Sequence, residues 1–503
     1  MNSKRFLRGA VVAAALVLTL LLIFAGSANA GHGYYKSHGR YLGIHMIDPI
    51  QTDAGYVAGT MIGDIGKEVR IYRGIPYAAP PVGDLRWKPP QPVTPWQGIR
   101  ECTKYSLWAP QQYPGTPLFG GIDEEDMGED CLYLNVLTPA KKVNERLPVM
   151  VWFHGGGLTI SSGNFSSYNM PPLPQHGVVS VTVSHRLGAI GYMAHPDLTA
   201  ESPNDASGNY GQLDLIAALQ WVQRNIEAFG GDPDNVTIWG QSGGGMKVNG
   251  LLASPLAKGL FHRAICEAGF YTGGSPLATS ELRGLSLQAA LQAKGFTADT
   301  IADMRNLPWQ DIVNTSIDIS SGYRSDFTVD GWFLEDTIAN TIRANKHSDV
   351  PYMVGAGGGE IRSTNPIMAQ FLLEMSQIQK SPIYPYVFTH LPKGWKIDGF
   401  YAYHGLEVAY QFGTIDKIYY HWGYLFSPPA GLPRDPDIDW KDEWVADATM
   451  DMWANFAKYG NPSVKGLIWV PSYKQGRDKY LDIGYPVIVS PGYSALAGPV
   501  PAR

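Results

Sequence analysis

An α/β fold, with a largely parallel central sheet and helices on both faces, is what this sequence predicts. Three observations lead there. Short apolar runs alternate with amphipathic stretches, the pattern of parallel strands joined by crossover helices. The chain has 503 residues, more than a single sandwich or bundle usually holds. Breaks rich in Pro and Gly are dispersed rather than gathered into a linker, which favours one large domain over residues 31–503.

Each element follows from its residues. Pro148–Phe153 is apolar throughout and ends in glycines, the pattern of a buried strand, and Val178–Val183 is a second one. Leu215, Ile216, Leu219, Val222, Ile226 and Phe229 recur at helical spacing, predicting a helix over Gln212–Phe229. Gly230-Gly231-Asp232-Pro233 stops it, and Val236–Trp239 is the next strand. Val350–Gly355 is another, followed by a glycine-rich loop that carries Glu360.

Residues 1–30 have the form of an export signal. Lys4, Arg5 and Arg8 precede the apolar run Ala10–Ala25, and Ala28-Asn29-Ala30 offers a small-residue cleavage site. The run of 16 residues is short for a bilayer span, which needs about 20. The expectation is a mature chain beginning near Gly31, outside the cytoplasm, secreted or periplasmic, with no stable membrane span after cleavage.

The formal net charge of −6 becomes −9 without the three signal cations, and no basic run occurs, which argues against a nucleic-acid partner. No grouping of Cys, His and carboxylates has the spacing of a metal site. The cysteines are Cys102, Cys131 and Cys266. In an oxidising compartment, a bridge from Cys102 to Cys131 would close a loop of 28 intervening residues. Such closure contributes about 3–4 kcal/mol on the chain-entropy model. Cys266, within Arg263-Ala264-Ile265-Cys266, has the setting of a small buried hydrophobe.

The chemistry concentrates in glycine-flanked segments. Gly240-Gln241-Ser242-Gly243-Gly244 follows the strand Val236–Trp239 and opens a helix-like stretch. A serine on a sharp strand-to-helix turn takes a strained backbone and presents its hydroxyl, and small neighbours let strand and helix approach. His154-Gly155-Gly156-Gly157 follows the strand Pro148–Phe153. Glycines there let backbone N–H groups converge on the oxyanion that forms during acyl transfer. In this reading His154 orients the loop and is not the catalytic base.

These segments resemble the type-B carboxylesterase family, which includes cholinesterases and bacterial broad-range esterases. Further matching text is Tyr72–Ala78, Pro80–Trp87, Glu129–Asn135, Arg186-Leu187-Gly188, Gly208–Gly211, Phe229–Pro233 and Trp453–Ala457, all in the family's order. The resemblance implies an α/β-hydrolase fold, hydrolysis of small-molecule carboxylic esters and no cofactor. It implies Gly156, Gly157 and Gly243 as oxyanion-hole donors, and Cys102 with Cys131 as a disulfide pair. The order Ser, acid, His then implies Ser242, Glu360 and His404 as the catalytic triad. His404 lies in Tyr403-His404-Gly405-Leu406-Glu407. His262, His347, His390 and His421 lack its Gly-flanked setting.

The chain departs from the family at several points. Gln241 stands where a glutamate is usual, which predicts weaker attraction for cationic esters. Gly243 replaces the usual alanine. Lys247 replaces a small residue on the nucleophile's helix, so it is expected either to be exposed or to meet a carboxylate. Gly357-Gly358-Gly359 predicts a loose acid loop. Only 43 residues separate Glu360 from His404, fewer than in relatives, which predicts a more open or a compromised pocket. Two alternatives to ester hydrolysis remain at this stage: the same triad acting on carbamates, amides or lactones, and a non-catalytic binding protein of cholinesterase-like form.

Overall fold

A computed structural model of the protein describes residues 49–112, 124–396, 400–417 and 435–496, with side chains at 124, 362–367 and 369 excepted. The proposed signal segment and His421 therefore lie outside the described residues.

An 11-stranded sheet forms the centre. In chain order its strands are β1 (Thr60–Ile62), β2 (Val69–Pro76), β3 (Tyr133–Thr138), β4 (Leu147–Phe153), β5 (Val179–Val183) and β6 (Gly231–Gln241). They continue with β7 (Arg263–Glu267), β8 (Tyr352–Gly357), β9 (Ile383–Phe388), β10 (Lys479–Ile483) and β11 (Ile488–Pro491). Their order across the sheet is β11-β10-β9-β8-β7-β6-β4-β5-β3-β2-β1. From β5 to β10 every neighbouring pair is parallel, and the antiparallel pairings lie towards the two edges. This is the α/β-hydrolase fold expected from the sequence.

The central strands are apolar at successive positions because both faces are covered. On β4, Val149, Val151 and Phe153 join one core cluster, while Met150 and Trp152 point to the other. The helix α1 (Tyr210–Asn225) lies in the first cluster. Its predicted end holds in outline: a 3-10 turn over Ile226–Phe229 completes it, and Gly230 closes that turn at φ 81°. The second face is covered by α5 (Trp440–Tyr459), whose Val445, Met452, Trp453 and Phe456 are buried there.

Register brings the functional loops to one edge. Phe153 pairs with Gly240, Gln241 with Glu267, and Glu267 with Gly355. The C-terminal ends of β4, β6, β7 and β8 are thus level, and open α/β sheets bind ligands at such an edge.

The Cys102–Cys131 disulfide is a correction. Both residues are free, fully buried thiols, as is Cys266. Burial pushes the Cys102 thiol up to about 12 and Cys131 well above its ordinary value. Burial thus disfavours the thiolate, the form that enters exchange.

Candidate active site

Ser242 links β6 to the helix α2 (Gly243–Ala253), and its backbone sits at φ 58°, ψ −124°. For a residue with a Cβ this is strained, and such strain persists only where the surroundings enforce it. The enforcement is visible here. The Ser242 N–H donates to the Glu267 carbonyl at 2.7 Å, and Glu267 Oε1 accepts from Trp453 Nε1 at 2.7 Å. The turn is therefore braced from β7 and, through that strand, from α5.

The glycine loop after β4 packs directly on this turn. A Cβ on Gly155 would stand 3.3 Å from that of Ser242. At Gly243 a Cβ would be driven into the Gly157 carbonyl group. Gly243, which replaces the alanine usual in the family, is thus a packing requirement. Gly156 and Gly157 take positive φ, 81° and 61°, as the loop bends back towards α2.

Glu360 is not in a loop. Gly357 ends β8, and Glu360 falls in the first turn of α3 (Gly358–Ile378). The glycines serve close approach: a Cβ on Gly357 would lie 2.7 Å from the Ala402 carbonyl oxygen, and the Gly359 N–H donates to that oxygen at 3.0 Å. The histidine segment is thereby pinned beside the acid. His404 Nδ1 meets Glu360 Oε1 at 2.6 Å, so the 43-residue path still joins the two. Phe412, at the end of α4 (Leu406–Gln411), stacks on Trp239 of β6 and meets Trp152 of β4 edge-on. Those rings seat the histidine segment over the strands that carry Ser242 and the glycine loop.

The side chains of Glu360 and His404 are about a quarter exposed. Burial lowers the imidazole's proton affinity, but the Glu360 hydrogen bond and charge, with Glu407 behind them, leave it above its ordinary value. Gln241 Nε2 lies 3.4 Å from both ring nitrogens of His404. A glutamate there would add negative charge beside the ring. Gln241→Glu is expected to move the acid limb of the pH–rate profile to higher pH. It should also favour a cationic ester over an uncharged one by roughly 5-fold, about 1 kcal/mol in a partly solvated site. Butyrylthiocholine compared with p-nitrophenyl butyrate gives the ratio.

Glu407, not anticipated from the sequence, is fully buried in the first turn of α4, three residues after His404. Burial, with Glu360 adding to it, pushes its carboxyl up to about 8. A carboxyl whose folded value is raised contributes stability that is lost as pH climbs from the unfolded value, near 4.5, through the folded one. Glu407→Gln should remove that loss, worth up to about 4 kcal/mol between pH 5 and 9. Urea midpoints at the two pH values test it, and equal slopes in both proteins would refute it.

The other histidines have structural partners. His390 Nε2 meets Asp442 Oδ1 at 2.8 Å in a buried pair that Tyr410 also joins. His262 Nδ1 accepts the Val236 N–H, and His347 meets Gln379. Lys247 is not exposed and meets no carboxylate among the described residues: it is fully buried, and Nζ donates to the His154 carbonyl at 2.9 Å. Among the described residues no group of three metal-ligating side chains occurs, and no helix is long and apolar enough to cross a membrane.

The carboxylesterase family model matches residues 48–377 and 359–495. Carboxylesterase 1D of Rattus norvegicus is 35% identical over 86% of this chain and 89% of its own. Para-nitrobenzyl esterase of Bacillus subtilis is 30% identical over 85% and 93%. Fumonisin B1 esterase of Sphingopyxis macrogoltabida is 44% identical, over 48% of this chain and 44% of its own. A solved PNB esterase superposes with a TM-score of 0.72 at 26% identity, over 88% of this chain and 97% of its own. With its sheet, its serine turn and its ordered motifs, the chain belongs to the carboxylesterase family and is an enzyme of the carboxylic ester hydrolase class.

Proposed function

We propose that the protein hydrolyses small-molecule carboxylic esters through an acyl-enzyme on Ser242, outside the cytoplasm after removal of residues 1–30. The observation that carries the mechanism is the 2.6 Å His404–Glu360 pair beside a strained Ser242 turn packed on the glycine loop.

Ser242 Oγ attacks the ester carbonyl as His404 Nε2 takes its proton. The N–H groups of Gly156, Gly157 and Gly243 receive the oxyanion. Collapse breaks the bond to the alcohol oxygen, which leaves with the proton from His404. Water then adds to the acyl group with His404 again as base, and the acid departs as Ser242 regains its proton. Glu360 holds the Nδ1–H tautomer throughout and stabilises the imidazolium.

Diethyl p-nitrophenyl phosphate tests the assignment. One equivalent should phosphorylate the protein, abolish p-nitrophenyl butyrate hydrolysis and map to the peptide containing Ser242. Label on another residue, or hydrolysis that survives full labelling of Ser242, would refute it. Absence of both hydrolysis and labelling would favour a non-catalytic binding role. Sequencing the N-terminus of exported protein should begin near Gly31; material retained in the cytoplasm would overturn the localisation.

A further inference from the structure

The two halves of the oxyanion hole come from different elements: Gly156 and Gly157 from the loop after β4, and Gly243 from the first residue of α2. Something must hold their N–H groups in one geometry. Lys247 is placed to do so. It sits on α2 one turn beyond Gly243, is fully buried, and has no carboxylate partner among the described residues. Its Nζ crosses to the loop and donates to the His154 carbonyl at 2.9 Å.

His154 continues the connection. Its Nδ1 lies 2.9 Å from the Gly155 carbonyl oxygen, the carbonyl of the peptide unit whose N–H belongs to Gly156. With the proton on Nδ1, this contact aligns and polarises that unit. The imidazole ring stacks on His185 at 4.8 Å and 12° between planes. His185 is in turn tied by Nδ1 to the Arg186 carbonyl, and Arg186 by a buried ion pair to Asp214 on α1. The path from α2 to the oxyanion loop is therefore made of fully buried side chains.

We propose that Lys247 is a positioning residue for the oxyanion hole: its bond to the His154 carbonyl locks the Gly156–Gly157 loop to the helix that presents Ser242 and Gly243. This rests on the acyl-enzyme reading above. A buried lysine without a countercharge is costly, and the wish for an N–H donor that spans from helix to loop accounts for its presence where a small residue would fold more easily. Such a donor matters most when charge develops on the carbonyl oxygen, so its loss falls on kcat and leaves KM nearly unchanged.

The test uses Lys247→Met, which keeps length and bulk without a donor, and Lys247→Ser, which is too short to reach His154. Each folded variant, as judged by circular dichroism and melting temperature, is assayed with p-nitrophenyl butyrate beside wild type and Ser242→Ala. Direct removal of an oxyanion donor costs about 10²–10³ in kcat. Misplacing the donors is expected to cost roughly 10–100-fold, with KM within twofold. A trifluoromethyl ketone, whose hemiketal places an oxyanion in the same hole, should weaken by a similar factor. Unchanged kcat and ketone inhibition in either folded variant would overturn the proposal, as would a rise in KM alone or failure of both variants to fold. Hydrolysis that does not depend on Ser242 in wild type would instead fell the acyl-enzyme reading itself.

Discussion

Glu360→Gln is expected to lower kcat by about 10⁴-fold, the scale set when a triad carboxylate becomes an amide. The substitution keeps the shape of the 2.6 Å contact with His404 Nδ1 but lets the amide donate to it. The proton then moves to Nε2, which can no longer accept from Ser242. The pH profile supplies a second readout. On the proposed mechanism hydrolysis needs neutral His404, so activity should fall as pH drops through the imidazole's pKa. Glu360 keeps that value above the ordinary histidine range against the opposing effect of burial. Its loss should shift the acid limb to lower pH. Stability changes in the opposite sense: the pair's contribution is present below the unfolded histidine value and is lost as pH rises through the folded one. The variant should therefore be less stable than wild type at pH 5.5 and close to it at pH 9. A kcat within tenfold of wild type would remove Glu360 from the triad.

Gly243→Ala is the second large expectation. Alanine is usual in the family at this position, yet here its methyl would enter the Gly157 carbonyl group, a backbone contact that no rotamer can relieve. The Gly155–Gly157 loop must retreat, and for the oxyanion hole proposed there an error of about 1 Å in positioning can cost 10²-fold. We expect kcat to fall between about 10² and 10³ with KM little changed, the range for an oxyanion donor removed outright. Stability should drop by about 1–3 kcal/mol, as for overpacking of a close-packed core. Steady-state kinetics with a melting curve checks both, and full activity would mean that this loop has slack.

What was legible in the sequence is what local patterning governs. Apolar runs at successive positions marked β4, β5, β6 and β8 within a residue or two, although β6 starts earlier, at Gly231. The serine turn was readable because a strand, a Gly-x-Ser-x-Gly segment and a helix are contiguous. The role of Gly357–Gly359 was not, since the Ala402 backbone that presses on them lies more than forty residues away in sequence. Lys247 failed for a similar reason. Composition predicts that a buried lysine seeks a carboxylate, and nothing local reveals that a carbonyl from the strand-end loop will be its partner. The cysteine pairing rested on an expected oxidising compartment and on the resemblance, neither of which reports how the two side chains are placed, and the two thiols stand free.

The brace on Ser242 has a consequence for the order in which the enzyme comes into being. The Glu267 side chain that shares a residue with the serine's backbone acceptor is held by Trp453, which follows Ser242, Glu360 and His404 in the sequence. Strands β10 and β11, later still, complete the sheet edge beyond β9. A nascent chain that has already emitted Ser242, Glu360 and His404 thus still lacks the Trp453 donor that holds Glu267 beside the Ser242 turn. On the acyl-enzyme reading proposed above, a polypeptide cut short before Trp453 would be a poor hydrolase even though Ser242, Glu360 and His404 are all present.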